Sequence, residues 1–258
     1  MSPPLPSAQP APAGIKAQIL DFSKMSPGLA LSYPNHFALV LDNCFTQEEC
    51  EQLIAIAETD KLGWEHAQVN VGGGMQITAL EIRNSRRIIR DDYDMASLIL
   101  ERVRPFLDEV QILQREEAKW SMIMTPVKNS RKAMTLSREK WEMVRLNERM
   151  RFLKYGPGQY FQPHFDGCFT TLQVHPHEPE QRTFLTLQVY LRSSSDLKGG
   201  ATRFFSQSGE FGSEFYDVEA IPGRVLIFQH RDFLHSGAEV VQGEKVALRS
   251  DILYRRVE

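Results

Sequence analysis

The second half of the chain, from residue 147 onward, is a succession of short apolar runs separated by turn residues. The runs that predict strands are 151–155, 159–163, 184–191, 201–205, 215–219, 224–229 and 245–254. Gly-Pro-Gly, Gly-Gly and Pro-Gly sequences mark several of the connections. Many short strands without a helical pattern between them indicate a sandwich or barrel. We therefore expect an all-β core in this half of the chain.

The first half of the chain predicts helices that support this core. Thr46 and Glu49 form the two ends of a capping box, which marks the start of a helix. The apolar residues that follow at helical spacing are Cys50, Leu53, Ile54 and Ala57. A second helix is expected from about residue 94 to Pro105, since proline disrupts a helix interior. The predicted fold class is therefore α+β, an all-β core with supporting N-terminal helices.

Composition restricts the classes of partner and of cellular location. A net charge of −3 gives no reason to expect binding to nucleic acid or to a membrane. Three cysteines without metal-type spacing indicate a reducing compartment. Five prolines occur among the first twelve residues, without the apolar run of a signal peptide, so residues 1–30 are predicted to be a mostly disordered tail. A cytoplasmic location follows as the expectation.

Residues 111–145 form a stretch of different character, rich in Lys, Arg, Met and Trp, with Trp120 and Trp141 near its ends. In one interpretation this is an amphipathic insertion whose large side chains cover the core. In the other it is a lid or a substrate-selecting element, because long insertions in compact domains are often functional.

A candidate metal site begins with His164 and Asp166, which follow the apolar run 151–155 and a Gly-Pro-Gly turn. Alternate side chains of an extended segment share a face, so an imidazole and a carboxylate would point the same way. They would supply two ligands of a 2-His-1-carboxylate metal face.

His235 is the best candidate for the third ligand, because it follows a buried strand and a barrel can bring remote strands onto one wall. A second His-x-Asp sequence, from His230 to Asp232, spans a strand end and a turn, so its side chains need not share a face. The remaining histidines are interpreted as structural; they are His36, His66, His175 and His177.

Lys245 and Arg249 follow His235 in a predicted strand, and their spacing of four places both on one face. Buried cations are costly unless an anion meets them. A dicarboxylate that chelates the metal at one end and pairs with Lys245 or Arg249 at the other would meet both requirements. The alternative is that they form ordinary ion pairs, for instance with Glu244 or Asp251.

Four motifs occur in order along the chain. They are Tyr155-Gly-Pro-Gly-Gln-Tyr-Phe-Gln-Pro-His164-Phe-Asp166, then Gly199-Gly200-Ala201-Thr202, then Pro222-Gly223-Arg-Val-Leu-Ile-Phe, and finally His235 with Gly243-Glu-Lys245. In order, spacing and residue type they resemble the catalytic domain of Fe(II)/2-oxoglutarate-dependent dioxygenases of the prolyl 4-hydroxylase type. The resemblance covers residues 147–255 closely and the preceding helices more loosely.

This resemblance implies a fold and a division of the chain. Residues 31–258 would be a single dioxygenase domain, with helical support and the insertion in 46–146. Residues 147–255 would be its core, a double-stranded β-helix or jelly roll.

The same resemblance implies the roles of individual residues. Fe(II) would be bound by His164, Asp166 and His235. The cosubstrate 2-oxoglutarate would chelate the iron, and ascorbate is a further cofactor candidate.

The second carboxylate of 2-oxoglutarate would pair with Lys245, while Tyr155 donates its hydroxyl. Arg249 is the alternative anchor, because related oxygenases use an arginine at a variable distance after the distal histidine. Thr202 and Arg83 are candidates for lining the pocket.

The implied reaction is hydroxylation of an unactivated C–H bond, with O2 and 2-oxoglutarate consumed and succinate and CO2 formed. The substrate could be a small metabolite or a protein side chain. Desaturation and cyclisation are alternative outcomes. The alternative from another class is a non-catalytic jelly-roll or cupin-like protein that binds a metal or a ligand.

Overall fold

The computed structural model describes residues 5–6, 12, 14–72, 75–124, 139–171, 180–210 and 212–257. The α-helices of this part are α1 (Pro27–Ser32), α2 (Gln47–Ala57), α3 (Tyr93–Val103) and α4 (Ala118–Met124). Its strands are β1 (Lys16–Ile19), β2 (Ala38–Asp42), β3 (Glu65–His66), β4 (Val69–Gly72), β5 (Met75–Ile77), β6 (Arg83–Asn84), β7 (Arg86–Asp91), β8 (Ile112–Gln114), β9 (Lys140–Leu146), β10 (Arg149–Tyr155), β11 (Gln159–His164), β12 (Gln181–Ser193), β13 (Lys198–Gly199), β14 (Thr202–Phe205), β15 (Phe215–Val218), β16 (Val225–Gln229), β17 (His235–Gln242) and β18 (Lys245–Arg256).

Two antiparallel sheets face each other and form the body of the domain. The larger sheet has the strand order β1-β2-β16-β12-β18-β10-β7-β3, and β9 pairs with both β18 and β8. The smaller sheet has the order β15-β14-β17-β11-β6, with β13 also on β17. Side chains of both sheets, including Tyr190, Phe204 and Phe228, pack in one cluster between them. The predicted jelly-roll core with supporting helices is confirmed.

Strand β18 shows why one face of the larger sheet can hold a site and the other a core. Its even-numbered apolar residues, such as Val246 and Leu248, are buried in the cluster that also contains the helices α2 and α3. The odd-numbered residues Lys245, Ala247 and Arg249 line the cleft between the sheets. The two-residue period of a strand therefore separates an apolar face from a charged one.

Helix α2 begins as the sequence predicts and covers the larger sheet. The Thr46 hydroxyl accepts a hydrogen bond from the backbone N–H of Glu49, and the Glu49 carboxylate accepts one from the backbone N–H of Thr46. Such caps stabilise a helix by about 1 kcal/mol. The four residues expected on its apolar face are all buried in the core; they are Cys50, Leu53, Ile54 and Ala57.

The segment predicted to be a mostly disordered tail, residues 1–30, contains regular structure, because strand β1 and the start of helix α1 lie within residues 16–30. Strand β1 pairs antiparallel with β2, and Phe22 and Leu29 are buried between the sheets. All four residues of β1 are exposed, so main-chain hydrogen bonds to the edge of the sheet hold this strand. A pairing of that kind leaves no apolar pattern in the sequence. Of residues 1–13, only 5, 6 and 12 are among the described residues.

The segment 111–145 is partly a piece of the larger sheet. Strand β10 pairs with the first half of β18, and β9 pairs with its second half. Strand β8 in turn pairs with β9. Trp120 and Trp141 are buried in the core, as the first interpretation expects. Residues 125–138, where a lid could lie, fall outside the described residues. No helix in the described ranges is both long and apolar enough to cross a membrane.

Candidate active site

The cleft between the sheets brings together side chains that are remote in the sequence. His164 ends β11 and His235 begins β17, and the two are direct partners in the antiparallel register of the smaller sheet. Asp166 follows two residues after β11 and is buried. One candidate ligand atom of each of the three lies within 4.8 Å of the others. The three predicted metal ligands therefore form one cluster.

Hydrogen bonds fix the orientation of both imidazoles. The Nδ1 of His164 lies 2.7 Å from the carbonyl oxygen of Gln162, and the Nδ1 of His235 lies 2.9 Å from that of Phe233. A carbonyl oxygen can only accept, so each Nδ1 carries the proton. The Nε2 atoms, which then have free lone pairs, lie 3.7 Å and 3.5 Å from the carboxylate oxygens of Asp166. Two neutral nitrogen donors and one carboxylate facing a common point fit a divalent metal such as iron.

The protonation states also suit a metal site. Burial lowers the pKa of His164 to about 3, and the adjacent His235 acts in the same direction. Burial likewise lowers the pKa of His235. Burial alone would raise the pKa of Asp166, but the Arg249 guanidinium and the nearby histidines together outweigh it and hold that pKa well below its usual range. At neutral pH the cluster therefore consists of two neutral imidazoles and a carboxylate, which are the forms that bind a metal.

The Asp166 carboxylate is held from the side of the larger sheet. Thr186 on β12 donates a hydrogen bond to its Oδ2 at 2.6 Å. Arg249 on β18 places its Nη2 2.9 Å from Oδ1 of Asp166. Thr186 was not among the predicted site residues, because a threonine inside an apolar strand has no sequence signal that separates it from a packing residue.

A buried charge network continues from Arg249 away from the cluster. The carboxylate of Asp251 lies 3.3 Å from Arg249, 3.0 Å from Arg151 and 3.3 Å from Nε2 of His230. Burial opposes the protonated imidazole of His230, but its interactions with the Asp251 carboxylate and with Cys168 outweigh burial and raise the pKa of His230 to about 9. Asp251 is thus the shared partner of three cationic groups. Its ion pair with Arg249 was one of the alternatives that the sequence left open.

Lys245 occupies a different environment in the same cleft. Its ammonium group donates a hydrogen bond to the carbonyl oxygen of Gly200 and lies 4.6 Å from the centre of the Tyr155 ring. No carboxylate within the described ranges lies within ion-pair distance of it, and burial lowers the pKa of Lys245 to about 8. Gly200 has a φ of 77°, and a Cβ there would approach Lys245 Cδ to 3.3 Å. The glycine therefore leaves room for the lysine side chain.

The remaining candidates also lie at the cleft. Tyr155 is the direct partner of Lys245 in the register of β10 and β18. Thr202 accepts hydrogen bonds from the Tyr190 hydroxyl at 2.7 Å and from Gln188 at 3.0 Å. Arg83, on β6, lines the cleft from the edge of the smaller sheet. The structure thus brings together every candidate site residue of the sequence analysis.

Comparison with known proteins finds similarity to oxygenases. Residues 150–250 match the family model described as the 2OG-Fe(II) oxygenase superfamily. The structure of a prolyl-4-hydroxylase from Pseudomonas putida is similar, with a TM-score of 0.52 and 14% identity, over 88% of this chain and 96% of that one.

The collagen prolyl hydroxylase of Paramecium bursaria Chlorella virus-1, solved with 2OG, gives a TM-score of 0.47 and 17% identity, over 84% of this chain and 96% of that one. A search of curated proteins found no match.

Proposed function

We propose a function from one premise: residues 150–250 belong to the 2OG-Fe(II) oxygenase superfamily, in a prolyl 4-hydroxylase-like domain, as the motifs of the sequence predict. The family implies Fe(II), 2-oxoglutarate and O2. Within that family, we propose that this protein is a dioxygenase that hydroxylates an unactivated C–H bond of its substrate. Ascorbate and a cytoplasmic location stay predictions.

The observation that carries the proposal is the convergence of His164, Asp166 and His235 on one point. These residues would hold Fe(II), and their backbone hydrogen bonds already orient both imidazoles towards it. Three protein ligands leave positions on an octahedral metal for other molecules. The bound iron would supply the reaction of O2 with 2-oxoglutarate and with a C–H bond, and the protein positions the reactants and shields them from water.

Lys245 is the anchor that we propose for the second carboxylate of 2-oxoglutarate. Its ammonium group faces the cleft without a carboxylate partner among the described residues, whereas Arg249 is engaged with Asp166 and Asp251. A buried cation that lacks a partner is stabilised most by an incoming anion. Tyr155, beside Lys245 in the sheet, would donate its hydroxyl to the same carboxylate.

In this proposal Arg249 acts on the metal site and not on the cosubstrate. Its guanidinium and the Thr186 hydroxyl hold the two oxygens of Asp166 in place. Bonds of this kind to a metal ligand keep that ligand in the geometry that the metal needs.

The proposal is tested by succinate release from the iron-loaded protein with 2-oxoglutarate and a screen of metabolites and peptides. The variants His164→Ala and Asp166→Ala should lose succinate formation and Fe(II) binding while keeping the far-UV circular dichroism of the wild type. His66→Ala is the matched control, because His66 is an exposed histidine on β3. Activity like that of the wild type in either cleft variant would overturn the metal assignment.

A further measurement separates the enzyme from a binding protein. Isothermal titration of the Fe(II)-loaded protein under anaerobic conditions should show 2-oxoglutarate binding. Iron binding without 2-oxoglutarate binding, and without succinate from any substrate, would favour the non-catalytic alternative.

A further inference from the structure

Arg83 lies next to the candidate metal site, separated from it by one aromatic ring. Strand β6 pairs with β11, and this register makes Arg83 the direct partner of Phe161. The guanidinium carbon lies 4.5 Å from the centre of the Phe161 ring. That ring stacks on the imidazole of His164, with centroids 3.7 Å apart and an interplanar angle of 24°. Backbone pairing therefore fixes a cation in the cleft that the candidate metal ligands also line.

The guanidinium of Arg83 is buried, and it has no counter-ion among the described residues. The residue is 7% exposed, and its Nε has no hydrogen-bond partner. Its hydrogen bond from Nη1 to the carbonyl oxygen of Gln68 is long, at 3.4 Å. No carboxylate in the part of the chain that the structure describes lies within ion-pair distance of its guanidinium. Burial accordingly lowers the pKa of Arg83.

Arg102 is a buried arginine with a structural role, and it serves as a comparison for Arg83. Arg102 is also 7% exposed, and it donates to the Glu49 carboxylate at 2.7 Å and to the Cys44 carbonyl oxygen at 2.9 Å. Both arginines also lie over a phenylalanine ring. The two arginines differ in that Arg102 has an acidic partner, whereas Arg83 has none among the described residues. Of the two, Arg83 lines the cleft.

The charge balance of the cleft points in the same direction. Asp166 and Asp251 are matched by Arg249 and the groups around it. A bound 2-oxoglutarate would bring two negative charges, one to the metal and one to Lys245. Arg83 would then still lack an anion. The nearby Arg87 donates only to neutral amide oxygens, those of Gln68 and Gln76.

We propose that Arg83 binds a carboxylate of the substrate, so that the enzyme acts on a carboxylate-bearing molecule or chain end whose reactive carbon lies close to that group. This inference rests on the proposed function and names its substrate class. A planar guanidinium presents its N–H groups as a fork that matches the two oxygens of a carboxylate. The carboxylate of the substrate would be the counter-ion that Arg83 lacks among the described residues.

The test uses Mn(II) in place of Fe(II), so that the loaded protein does not turn over, with 2-oxoglutarate at saturation. The probe is acetate, and acetamide is its neutral isostere. Relaxation of the probe's methyl protons by Mn(II) reports binding close to the metal. We expect binding of acetate with little binding of acetamide, and a rise of at least about tenfold in the acetate Kd for Arg83→Gln.

Two further variants make the result specific. Arg86→Gln is the matched control, since Arg86 is an exposed arginine three residues away, and its acetate Kd should equal that of the wild type. Arg83→Lys keeps the charge without the two-pronged donor, so we expect an intermediate Kd. Circular dichroism and the Tm establish that each variant is folded. Arg83→Lys keeps the test available if Arg83→Gln fails to fold.

The outcomes separate this inference from the proposed function. If 2-oxoglutarate binds normally but Arg83→Gln leaves the acetate Kd unchanged, the inference is wrong and the proposed function stands. If Arg83→Gln weakens 2-oxoglutarate binding as much as Lys245→Ala does, Arg83 belongs to the cosubstrate site and the inference is overturned. If the wild type binds neither Mn(II) nor 2-oxoglutarate, the proposed function fails, and the inference fails with it.

Discussion

The two ends of the cleft treat buried charge in opposite ways. At one end, Asp166, Arg249 and Asp251 form ion pairs of 2.9 Å and 3.3 Å. At the other end, the cation of Lys245 has no carboxylate within ion-pair distance among the described residues. Arg83, beside the stacked rings of Phe161 and His164, also has none among those residues. The comparison suggests a division of roles: paired charges would build the proposed metal site, whereas unpaired charges would receive the anionic ligands that we propose. Below we call these the paired end and the unpaired end.

A single strand contributes to both ends. Lys245 and Arg249 lie on the same face of β18, four residues apart. Their difference comes from their neighbours, because Asp251 follows on the same face and Asp166 arrives from the opposite sheet. Two residues on one face of the same strand would thus have different proposed roles, because the tertiary structure gives carboxylate partners to Arg249 and none of the described ones to Lys245.

The largest effect should come from breaking the paired end with Asp251→Asn. This change leaves the charges of Arg249, Arg151 and His230 buried beside a neutral group, and loss of a buried partner typically costs about 3–5 kcal/mol. Urea denaturation should show a loss of unfolding free energy of about this size. Asp217→Asn is the matched control, because the Arg203–Asp217 pair is partly exposed and should contribute at most about 1 kcal/mol. Equal losses in the two variants would contradict the comparison.

Next in size is the contrast between Lys245→Ala and Arg249→Ala in steady-state kinetics. Lys245→Ala should raise the KM for 2-oxoglutarate by about 100-fold, since it removes the partner of a buried carboxylate. Arg249→Ala should mainly lower kcat, because it releases the Asp166 carboxylate. Lys154→Ala, a change on the neighbouring strand outside the cleft, should leave both constants unchanged. A larger KM rise in the Arg249 variant would identify arginine as the anchor instead.

A smaller effect is expected on stability at the unpaired end, with the opposite sign to Asp251→Asn. Burial lowers the pKa of Lys245 from 10.5 to about 8, so holding the ammonium charged at pH 7 costs the unliganded protein about 3 kcal/mol. Lys245→Met removes this cost and also the hydrogen bond to Gly200, for a net gain of about 2 kcal/mol.

Urea midpoints at pH 7 test this gain. With 2-oxoglutarate at saturation the order should reverse, because only the wild type then gains the ion pair. If Lys245→Met is less stable than the wild type without 2-oxoglutarate, the buried charge of Lys245 does not destabilise the unliganded protein.

The smallest effect is a pH dependence carried by the same lysine. Below pH 8 Lys245 is protonated in the folded protein and can pair with a carboxylate. As the pH rises above about 8 the folded protein loses this charge, so the Kd for 2-oxoglutarate should rise by up to about tenfold per pH unit. The unliganded protein should become more stable over the same range, from about pH 8 to 10.5, because the unfolded chain binds the extra proton there.

Lys245→Arg is the control for the pH dependence, because arginine stays protonated throughout this range. A Kd for 2-oxoglutarate that varies equally with pH in the wild type and in this variant would assign the titration to another group.

The strands in the second half of the chain differ in how readily the sequence revealed them. Strands β10, β12, β16 and β18 were predicted because they are buried on at least one face and therefore apolar. Strand β17 was missed, since it combines glycine and polar residues and is held by pairing with β11, β13 and β14. Strands of this kind depend on main-chain partners, which a single sequence does not display.

The sequence by itself determined the helix cap at Thr46, the strands β10, β12, β16 and β18 of the larger sheet, and the identity of the metal-ligand candidates through their motif order. These features are local or rest on a periodic pattern, so the residues carry them directly. Only the tertiary structure decided which cations are paired. Arg249 meets Asp166 across two sheets, Lys245 meets no carboxylate in the described part of the chain, and Arg83 reaches the cleft through the pairing of β6 with β11. Charge compensation depends on distances between remote residues, and those distances exist only in the folded protein.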